Sequence, residues 1–298
     1  QPIEKDLRIK AKELLESGEV KVVIGYGWAR RQRRTVPVFI TDPGEVDQLI
    51  FNPLSINNLS IYLLKKHKDI RALGKPAIVA KGCDIRTIVV LLEEAQISRE
   101  DVVILGMVCN GSAYRQELWK GELSHEILSP KCETCDVKNP HLYDHIIGEK
   151  LELSEKKESG SIEEKIKELE GQTAKERWDF WMDHFDRCIK CYACRHVCPL
   201  CYCERCITEK NMPQWVETSA HPQGNLSWNL VRAIHLAGRC TSCGECDRVC
   251  PLNIPLNLIN RKLALVGEEA FDYRSGYDPE VHPPMIVYSP DDQESFTR

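Results

Sequence analysis

The stretch CIKCYACRHVCPLCYCERC, residues 188–206, holds seven cysteines in nineteen residues. Its first four cysteines follow the spacing C-x2-C-x2-C-x3-C, and Pro199 comes directly after them. Residues 240–251, CTSCGECDRVCP, repeat this spacing and end at Pro251. Two copies of this run are typical of bacterial two-cluster ferredoxins, in which the fourth cysteine of each run ligates the other cluster. The pattern therefore predicts a C-terminal domain with two [4Fe–4S] clusters.

The crossed pattern assigns four thiolates to each of these two clusters. Two-residue spacers let three thiolates converge on one face of a cubane, and the proline then turns the chain so that the fourth crosses over. The predicted ligands are Cys188, Cys191, Cys194 and Cys250 for one cluster, and Cys240, Cys243, Cys246 and Cys198 for the other. A pair of structural zinc sites is the alternative, but zinc ribbons use separated C-x2-C pairs rather than a four-cysteine run ending in proline.

Three cysteines of the opening stretch remain outside this scheme. Cys201, Cys203 and Cys206 fall in the 41-residue insert between Cys198 and Cys240. They are either free thiols that pack the insert or ligands of a further metal with a fourth ligand other than cysteine. We favour free thiols.

The composition limits the class of protein. The chain has 298 residues, of which 42% are hydrophobic, and a net charge of −5. This suits one large domain or two ordinary ones, without general attraction to nucleic acid or to an anionic membrane. Fifteen cysteines, without an apolar signal segment or a run long enough to span a bilayer, indicate metal-binding thiols in a reducing compartment. We expect a cytoplasmic protein with no nucleic-acid partner and no membrane span.

Residues 1–150 have the hydrophobic pattern of an α/β domain. Apolar residues recur at helical spacing over residues 3–17. Short apolar runs predict strands at 21–26, 36–41, 77–82 and 102–109. Asn57 is expected to cap a helix through NLSIYLLKKH, and Asp84 to cap one through IRTIVVLLEEAQI. Strands that alternate with helices favour a mainly parallel sheet with helical cover.

Four more cysteines lie in this first domain. Cys83 and Cys109 come just past the ends of two predicted strands, where ligands gather in parallel sheets. Cys132 and Cys135 form a C-x2-C pair on a loop. Together they make a complete set for one further [4Fe–4S] cluster or for a zinc ion. The alternative is that Cys83 and Cys109 are simply small buried apolar side chains.

The rest of the chain divides by composition. Residues 151–186 are mostly charged or polar and are expected to form a solvated helical linker. Its aromatic stretch RWDFWMDHF, residues 177–185, is expected to pack one domain against the next. Residues 187–262 form the predicted α+β two-cluster domain. Residues 263–298 are acidic and proline-rich and are predicted to be an extended tail.

Three short motifs of the first domain resemble a known family. VAKGCDIRTI (79–88), ILGMVCNG (104–111) and KCETC (131–135) are similar to motifs of the iron–sulfur flavoprotein β subunits of deazaflavin-reducing hydrogenases and formate dehydrogenases. The resemblance covers roughly residues 11–150. It implies that the four N-terminal cysteines surround one [4Fe–4S] cluster beside FAD. In the family the ferredoxin motifs are commonly N-terminal, whereas here they follow the flavin-type domain, so the orientation of the electron path cannot be carried over.

The FAD that the resemblance implies has candidate contacts after the first strand. Gly25 and Gly27 permit close approach of the backbone, and Arg30 and Arg31 carry guanidinium groups that match diphosphate oxygens. A solvated basic patch is the alternative for these arginines. The dinucleotide fingerprint G-x-G-x-x-G is broken because Arg30 occupies its third glycine position.

Further flavin candidates lie nearer the cysteines. Asn57 and Asn58 could bind the flavin or cap a helix, and capping is favoured. Lys81 and Gly82 are stronger candidates because they adjoin Cys83. A cation beside the flavin ring would stabilise its reduced anion.

These observations favour an electron-transfer subunit of a soluble anaerobic oxidoreductase complex. FAD and [4Fe–4S] clusters would exchange electrons and pass them to a partner subunit, which the resemblance suggests is a hydrogenase, a formate dehydrogenase or a heterodisulfide-reductase-like protein. The alternative is a self-contained flavin-dependent reductase of deazaflavin or another diffusible hydride carrier. A zinc scaffold without redox chemistry is the third hypothesis.

Overall fold

The computed structural model describes residues 2–30, 34–114, 118–152 and 159–284. A five-stranded sheet in the spatial order β2–β1–β3–β4–β5 forms the centre of the N-terminal half. Its strands are β1 (Val22–Trp28), β2 (Thr35–Ile40), β3 (Pro76–Lys81), β4 (Val103–Met107) and β5 (His145–Ile147). β1 pairs antiparallel with β2, and the other neighbouring pairs are parallel. The predicted mixed α/β architecture is thus confirmed, with one antiparallel edge strand.

The two central strands lie where the apolar runs predict them because both of their faces are covered. In β4 all five residues are buried, and in β3 only Pro76 is partly exposed. Such unbroken apolar runs are typical of parallel strands with helices on both sides. Helix α1 contributes Leu7 and Ala11 to this core, and helix α3 contributes Ile85 and Ile88.

Ten helices occur among the described residues. In the N-terminal half they are α1 (Pro2–Glu16), α2 (Lys68–Arg71), α3 (Gly82–Glu93) and α4 (Pro130–Glu133). In the second half they are α5 (Ser161–Glu170), α6 (Ala174–Asp186), α7 (Ala193–Val197), α8 (Pro222–Leu236), α9 (Glu245–Val249) and α10 (Leu256–Phe271). No helix of these described segments is long and apolar enough to cross a membrane.

Two predicted helix starts were wrong. Asn58 rather than Asn57 caps the segment that follows, since its side chain accepts a hydrogen bond from the Ser60 N–H at 3.1 Å. That segment, Leu59–Leu63, is a short 3-10 helix. Helix α3 already begins at Gly82, and the Asp84 carboxylate, within the first turn, accepts a hydrogen bond from the Lys81 N–H at 3.0 Å. A carboxylate in the first turn satisfies free N–H groups as well as a capping residue does.

The segment predicted to be a solvated helical linker forms two helices in its described part, but each of them buries apolar residues. Helix α5 buries Ile166 and Leu169 against Leu258 of α10, and α6 buries Phe185 beside Trp228 of α8. The aromatic stretch therefore packs onto the second half of the molecule. Charged residues dominate the composition of this segment, but apolar residues at helical spacing decide that it packs.

The predicted extended tail begins later than expected. Helix α10 continues to Phe271, and only then does the chain leave the second half. It crosses back to the sheet domain, where the Ser275 carbonyl accepts a hydrogen bond from Arg86 at 3.0 Å and the Gly276 carbonyl lies 3.1 Å from His141 Nε2. Gly276 has a φ of +70°, and a Cβ there would lie 2.0 Å from the Arg86 carbonyl oxygen. This crossing therefore requires glycine.

Candidate metal centres

Four cysteines from three parts of the sheet domain line one cavity. These are Cys83, Cys109, Cys132 and Cys135, called here the N-terminal set. Strand register explains half of the arrangement, because Lys81 of β3 pairs with Met107 of β4. Cys83 and Cys109 each follow two residues later, so their thiols leave adjacent parallel strands at the same edge of the sheet. The structure thus brings together the four residues that the sequence predicted.

The loop that carries the C-x2-C pair is held close to these strand ends by backbone contacts. The Cys109 N–H donates to the Lys138 carbonyl at 2.9 Å, and Ser112 Oγ lies 3.4 Å from Cys132 Sγ. Gly82 makes the approach possible, since a Cβ there would lie 1.8 Å from the Val137 carbonyl oxygen. The predicted flavin contact Gly82 is thus a packing residue of the N-terminal set.

The electrostatics of the N-terminal set suit a bound metal cluster. Burial raises the pKa of Cys83 well above its usual value and that of Cys109 to about 12, while Lys81 lowers both. Neutral thiols at pH 7 must release protons when metal binds. Four convergent thiols and nearby amines therefore fit a [4Fe–4S] cluster, whose core is anionic. Among the described residues, no three His, Cys, Asp or Glu side chains are grouped as a site for a single metal ion.

Lys81 is fixed inside the protein rather than directed at a ligand. Its Nζ lies 2.8 Å from the Asp84 carboxylate and donates to the Asn57 carbonyl at 2.9 Å, and it also contacts the Tyr26 hydroxyl. Burial lowers its pKa, but Asp84 and Cys83 outweigh burial, so the pKa lies above its usual value. Lys81 thus remains a buried cation beside the N-terminal set.

Most of the other predicted flavin contacts that the structure describes have surroundings of a different kind. A Cβ on Gly25 would lie 2.5 Å from Leu49 Cδ2, and one on Gly27 would lie 2.6 Å from Val38 Cγ1, so both glycines serve core packing. Arg30 is exposed. The Asn57 carbonyl accepts a hydrogen bond from Lys81, and Asn58 caps a 3-10 helix. Arg31 lies outside the described residues.

The two cysteine runs have matching backbone conformations. Lys190 and Tyr192 in the first run, and Ser242 and Gly244 in the second, all have positive φ between 49° and 71°. Each pair stands at the same two places in its run, directly before α7 or α9. The duplication in sequence is therefore also a duplication in structure, and the left-handed residues turn the thiols of each run toward one side.

The first ferredoxin set comprises the predicted ligands Cys188, Cys191, Cys194 and Cys250. Burial raises the pKa of Cys194, and the other three members of the set raise it further, although Arg232 lowers it. Burial likewise raises the pKa of Cys188, with Cys250 among the neighbouring thiols that contribute. Cys250 of the second run thus adjoins the thiols of the first run, as crossed ligation requires.

The second ferredoxin set comprises Cys240, Cys243, Cys246 and Cys198. Burial raises the pKa of Cys240 to about 12 and that of Cys243 to about 11, with Cys198 among the neighbours that raise both. Burial raises the pKa of Cys246 well above its usual value, and Cys240 and Cys243 add to this. All fifteen cysteines are free thiols, so no disulfide competes with metal binding.

The three remaining cysteines have different surroundings. Cys201 is a neighbour of Cys198, whose thiol is the main reason that the pKa of Cys201 is lowered to about 7. Cys206 packs among the apolar side chains around Trp228 and accepts a hydrogen bond from the Thr208 hydroxyl at 3.1 Å. Cys203 is exposed. These surroundings agree with packing thiols rather than with a shared metal.

The N-terminal set and the second ferredoxin set are held against each other. Thr87 of α3 contacts Thr241, which follows Cys240, with 3.0 Å between their hydroxyl oxygens. Arg86 donates to the Thr241 carbonyl at 3.2 Å, and Lys131 donates to the Cys243 carbonyl at 2.7 Å. A cavity of about 210 Å³ is lined by three cysteines of the N-terminal set and by Thr241 and Ser242 of the second cysteine run. Sequence reasoning missed these contacts because they join positions about 110 to 155 residues apart.

Comparisons with known proteins indicate the class of protein to which this chain is similar. Residues 184–254 match the family model of the 4Fe-4S dicluster domain. The chain is 24% identical to the F420-dependent formate dehydrogenase subunit beta of Methanocaldococcus jannaschii over 332 aligned positions, which cover 83% of this chain and 85% of the relative. It is 26% identical to the F420-dependent formate dehydrogenase 1 subunit beta of Methanococcus maripaludis, over 71% of this chain and 76% of the relative.

This chain is a homologue of the F420-dependent formate dehydrogenase β subunits. The resemblance that the three N-terminal motifs indicate is thus confirmed, as is the class of oxidoreductase subunit. Its C-terminal region is a 4Fe-4S dicluster domain. One solved structure, the F420-reducing [NiFe] hydrogenase complex from Methanosarcina barkeri, matches 45% of this chain and 61% of its own chain at 15% identity, with a TM-score of 0.35.

Proposed function

We propose that this chain is the electron-transfer subunit of an oxidoreductase complex and holds three [4Fe–4S] clusters, one in each of the three cysteine sets. The observation that carries the proposal is the direct contact of α3 with the loop between Cys240 and Cys243. It holds two buried thiol sets together across the boundary of the two domains. The first ferredoxin set includes the exposed Cys191, so it would form the solvent-facing end of the series of three clusters. This order suits transfer of single electrons through the chain to a partner subunit.

FAD is the proposed fourth cofactor, beside the N-terminal set. A cavity of about 250 Å³ adjoins Cys109 and Lys81 and is lined by the aromatic side chains of Phe51 and Trp119. Flat aromatic walls with a few polar groups suit a flavin ring. When bound, FAD exchanges a hydride with a carrier and releases single electrons. The buried Lys81 cation next to this cavity would favour a reduced, anionic ring.

Iron content tests the cluster proposal directly. Protein purified under anaerobic conditions is expected to contain about twelve iron atoms per chain, since each of three clusters holds four. The variant Cys83→Ser should lose about four of them. Cys203→Ser is the matched control, because this exposed thiol lies outside all three sets, and it should lose none. Zinc in place of iron would overturn the proposal, and about sixteen iron atoms would show that the insert cysteines are ligands as well.

The FAD content of the purified protein tests the proposal that this chain binds FAD. Trp119→Ala should lose bound FAD while it retains iron, whereas Trp178→Ala, which removes an exposed aromatic side chain of α6, should retain both. Stopped-flow reduction by reduced deazaflavin then separates the two functions. Reduction of the isolated chain at a rate that sustains turnover would instead establish the self-contained reductase, and reduction only within a larger complex supports the electron-transfer subunit.

A further inference from the structure

Hydrogen bonds between buried polar residues join the sheet domain to the second cysteine run. The residues are Ser60, Asn58, Thr87 and Thr241, and none of them is more than 3% exposed. The Ser60 N–H donates to Asn58 Oδ1 at 3.1 Å, and Asn58 Nδ2 donates to Thr87 Oγ1 at 3.0 Å. Thr87 Oγ1 also lies 3.0 Å from Thr241 Oγ1 and 3.3 Å from the carbonyl oxygen of Cys83. The Thr87 hydroxyl therefore contacts both the N-terminal set and the second run.

The direction of each hydrogen bond follows from the chemistry of the groups. A backbone N–H only donates, so the Ser60 contact identifies the Asn58 oxygen and leaves the Asn58 nitrogen to donate to Thr87. A carbonyl only accepts, so the single Thr87 proton goes to the Cys83 oxygen. The remaining contact requires the Thr241 hydroxyl to donate to Thr87. With one donated and two accepted hydrogen bonds, the capacity of the Thr87 hydroxyl is fully used.

The positions of the two threonines give this contact a further meaning. A helical threonine often donates to the carbonyl four residues earlier, and by itself such a bond only satisfies the hydroxyl. Here the carbonyl belongs to Cys83 of the N-terminal set, and Thr241 is joined by a peptide bond to Cys240 of the second ferredoxin set. A continuous route of covalent bonds and two hydrogen bonds thus leads from one thiol to the other.

We propose that the Thr87 hydroxyl is the positioning group through which a single electron passes between the N-terminal centre and the second ferredoxin centre. The inference rests on the proposed function, because it needs a [4Fe–4S] cluster in each of these two sets. In the transfer one electron leaves the reduced cluster and enters the oxidised one, while the Thr87 proton stays in place. Electron tunnelling weakens less steeply along covalent and hydrogen bonds than across a gap, so loss of the hydroxyl slows the transfer.

Lys131 provides a second connection between the same two sets. It precedes Cys132, and its Nζ donates to the Cys243 carbonyl at 2.7 Å. That route runs along the whole lysine side chain, which is a flexible stem, and it contains more covalent bonds between the thiols. Thr87 is β-branched, completely buried and held by three hydrogen bonds. The threonine route is therefore the more rigid one, which favours it as the path of the electron.

The experiment measures electron exchange between these two centres in the loaded full-length protein, by freeze-quench electron paramagnetic resonance after rapid partial reduction. Thr87→Val removes the hydroxyl but keeps the shape of the side chain, and exchange should become several-fold slower. Thr87→Ser keeps the hydroxyl and should exchange electrons at close to the wild-type rate. Thr35→Val is the matched control and should leave the rate unchanged, because Thr35 is a buried threonine whose hydroxyl donates to the Leu54 carbonyl at 2.6 Å.

Further measurements separate this coupling from a purely structural role. In Thr87→Val the iron content, the midpoint potentials and the magnetic interaction between the two centres, which reports their distance, should match wild type. The single variant leaves the Thr241 proton without its acceptor, which costs stability. The double variant Thr87→Val/Thr241→Val removes both hydroxyls, so it should show the same slow exchange and keeps the test available if the single variant does not take up clusters.

Each outcome supports or overturns the inference. An unchanged rate in loaded Thr87→Val protein, or equal slowing in Thr87→Ser, would overturn it and leave the proposed function standing. Slower exchange with a changed magnetic interaction would show that the hydroxyl only sets the distance, and slowing in Lys131→Met alone would assign the path to the lysine. If both valine variants lose iron while Thr87→Ser retains it, the hydroxyl serves cluster retention and the inference is wrong. Wild-type protein without any cluster signal would overturn both the inference and the proposed function.

Discussion

Glu93, at the end of α3, has a carboxyl group whose two oxygens are buried. Both of its oxygens are buried without a hydrogen bond of normal geometry among the described residues, and the nearby Tyr273 hydroxyl lowers its pKa only in part. Burial raises its pKa to about 7, and the charges of Glu94 and Asp278 contribute to the same shift. The unfolded chain gives up this proton near pH 4.5, so folding favours the protonated form. Stability is therefore lost as the pH rises from about 4.5 through about 7.

This loss of stability with rising pH gives a prediction for the variant Glu93→Gln. The glutamine stays neutral at every pH, so the variant should unfold at a higher temperature than wild type at pH 8 and at a similar temperature at pH 5. Thermal unfolding of the loaded protein, followed by circular dichroism at both pH values, measures the difference. Glu100→Gln is the control, since Glu100 is also near the sheet but exposed. Equal increases in the unfolding temperature at both pH values would mean that the charge of Glu93 does not cause the loss of stability.

Helix α5 shows how a charged segment becomes part of the core. Seven of its ten residues are Ser, Glu or Lys, yet Ile166 is only 4% exposed and packs in one cluster with Leu258 of α10. Arg261 of α10 adds an ion pair with the buried carboxylate of Glu163 at 3.0 Å. The helix therefore fastens α10, and with it the end of the dicluster domain, to the rest of the molecule.

The variant Ile166→Ala tests whether α5 fastens α10 to the rest of the molecule. Truncation of a buried isoleucine costs about 2–5 kcal/mol, so amide hydrogen exchange should accelerate at least tenfold in both α5 and α10. Lys167→Ala, on the exposed face of the same helix, should leave exchange in α10 unchanged. If α5 were a solvated linker, the two variants would behave alike.

At the scale of the whole molecule, Arg86 joins the two domains and the chain that returns from α10. It donates to the carbonyls of Thr241 and Ser275, and its guanidinium carbon lies 4.2 Å from the centre of the Tyr277 ring. Hydrogen bonds from a charged donor each contribute about 1.5–3 kcal/mol. Together with Thr87 and Lys131, Arg86 thus holds the second ferredoxin set against the sheet domain.

Arg86→Ala should slow electron exchange between the N-terminal and dicluster centres without loss of iron. Freeze-quench electron paramagnetic resonance after rapid partial reduction measures the rate. Arg99→Ala is the control, because Arg99 pairs with Asp144 on the surface of the sheet domain at 2.7 Å. A variant that exchanges electrons at the wild-type rate would show that this contact does not govern the distance between the centres.

Local chemistry accounts for the parts that the sequence made predictable. Strands β1, β3 and β4 follow apolar runs, because burial on both faces demands such runs. The edge strand β2 also follows an apolar run, although its middle residues are only half-buried. The cysteine runs are recognisable because three thiolates on one cluster need short, fixed spacers. Strand β5 and the packing of α5 were missed, since a three-residue strand that includes a histidine and a mostly charged helix give little local signal. Gly25 shows a limit of such motifs, because core packing explains a glycine there as well as ligand binding does.

The sequence by itself determined which thiols are available for metal and how they group within each run. Only the tertiary structure decided which groups lie together. It brought Thr87 to Thr241, packed Arg232 against the Cys194 carbonyl of the first ferredoxin set and returned the segment after α10 to Arg86. The reason is physical. Cluster spacing depends on bond geometry over a few residues, whereas the contacts between centres depend on how two buried cores pack, which no short stretch of chain encodes.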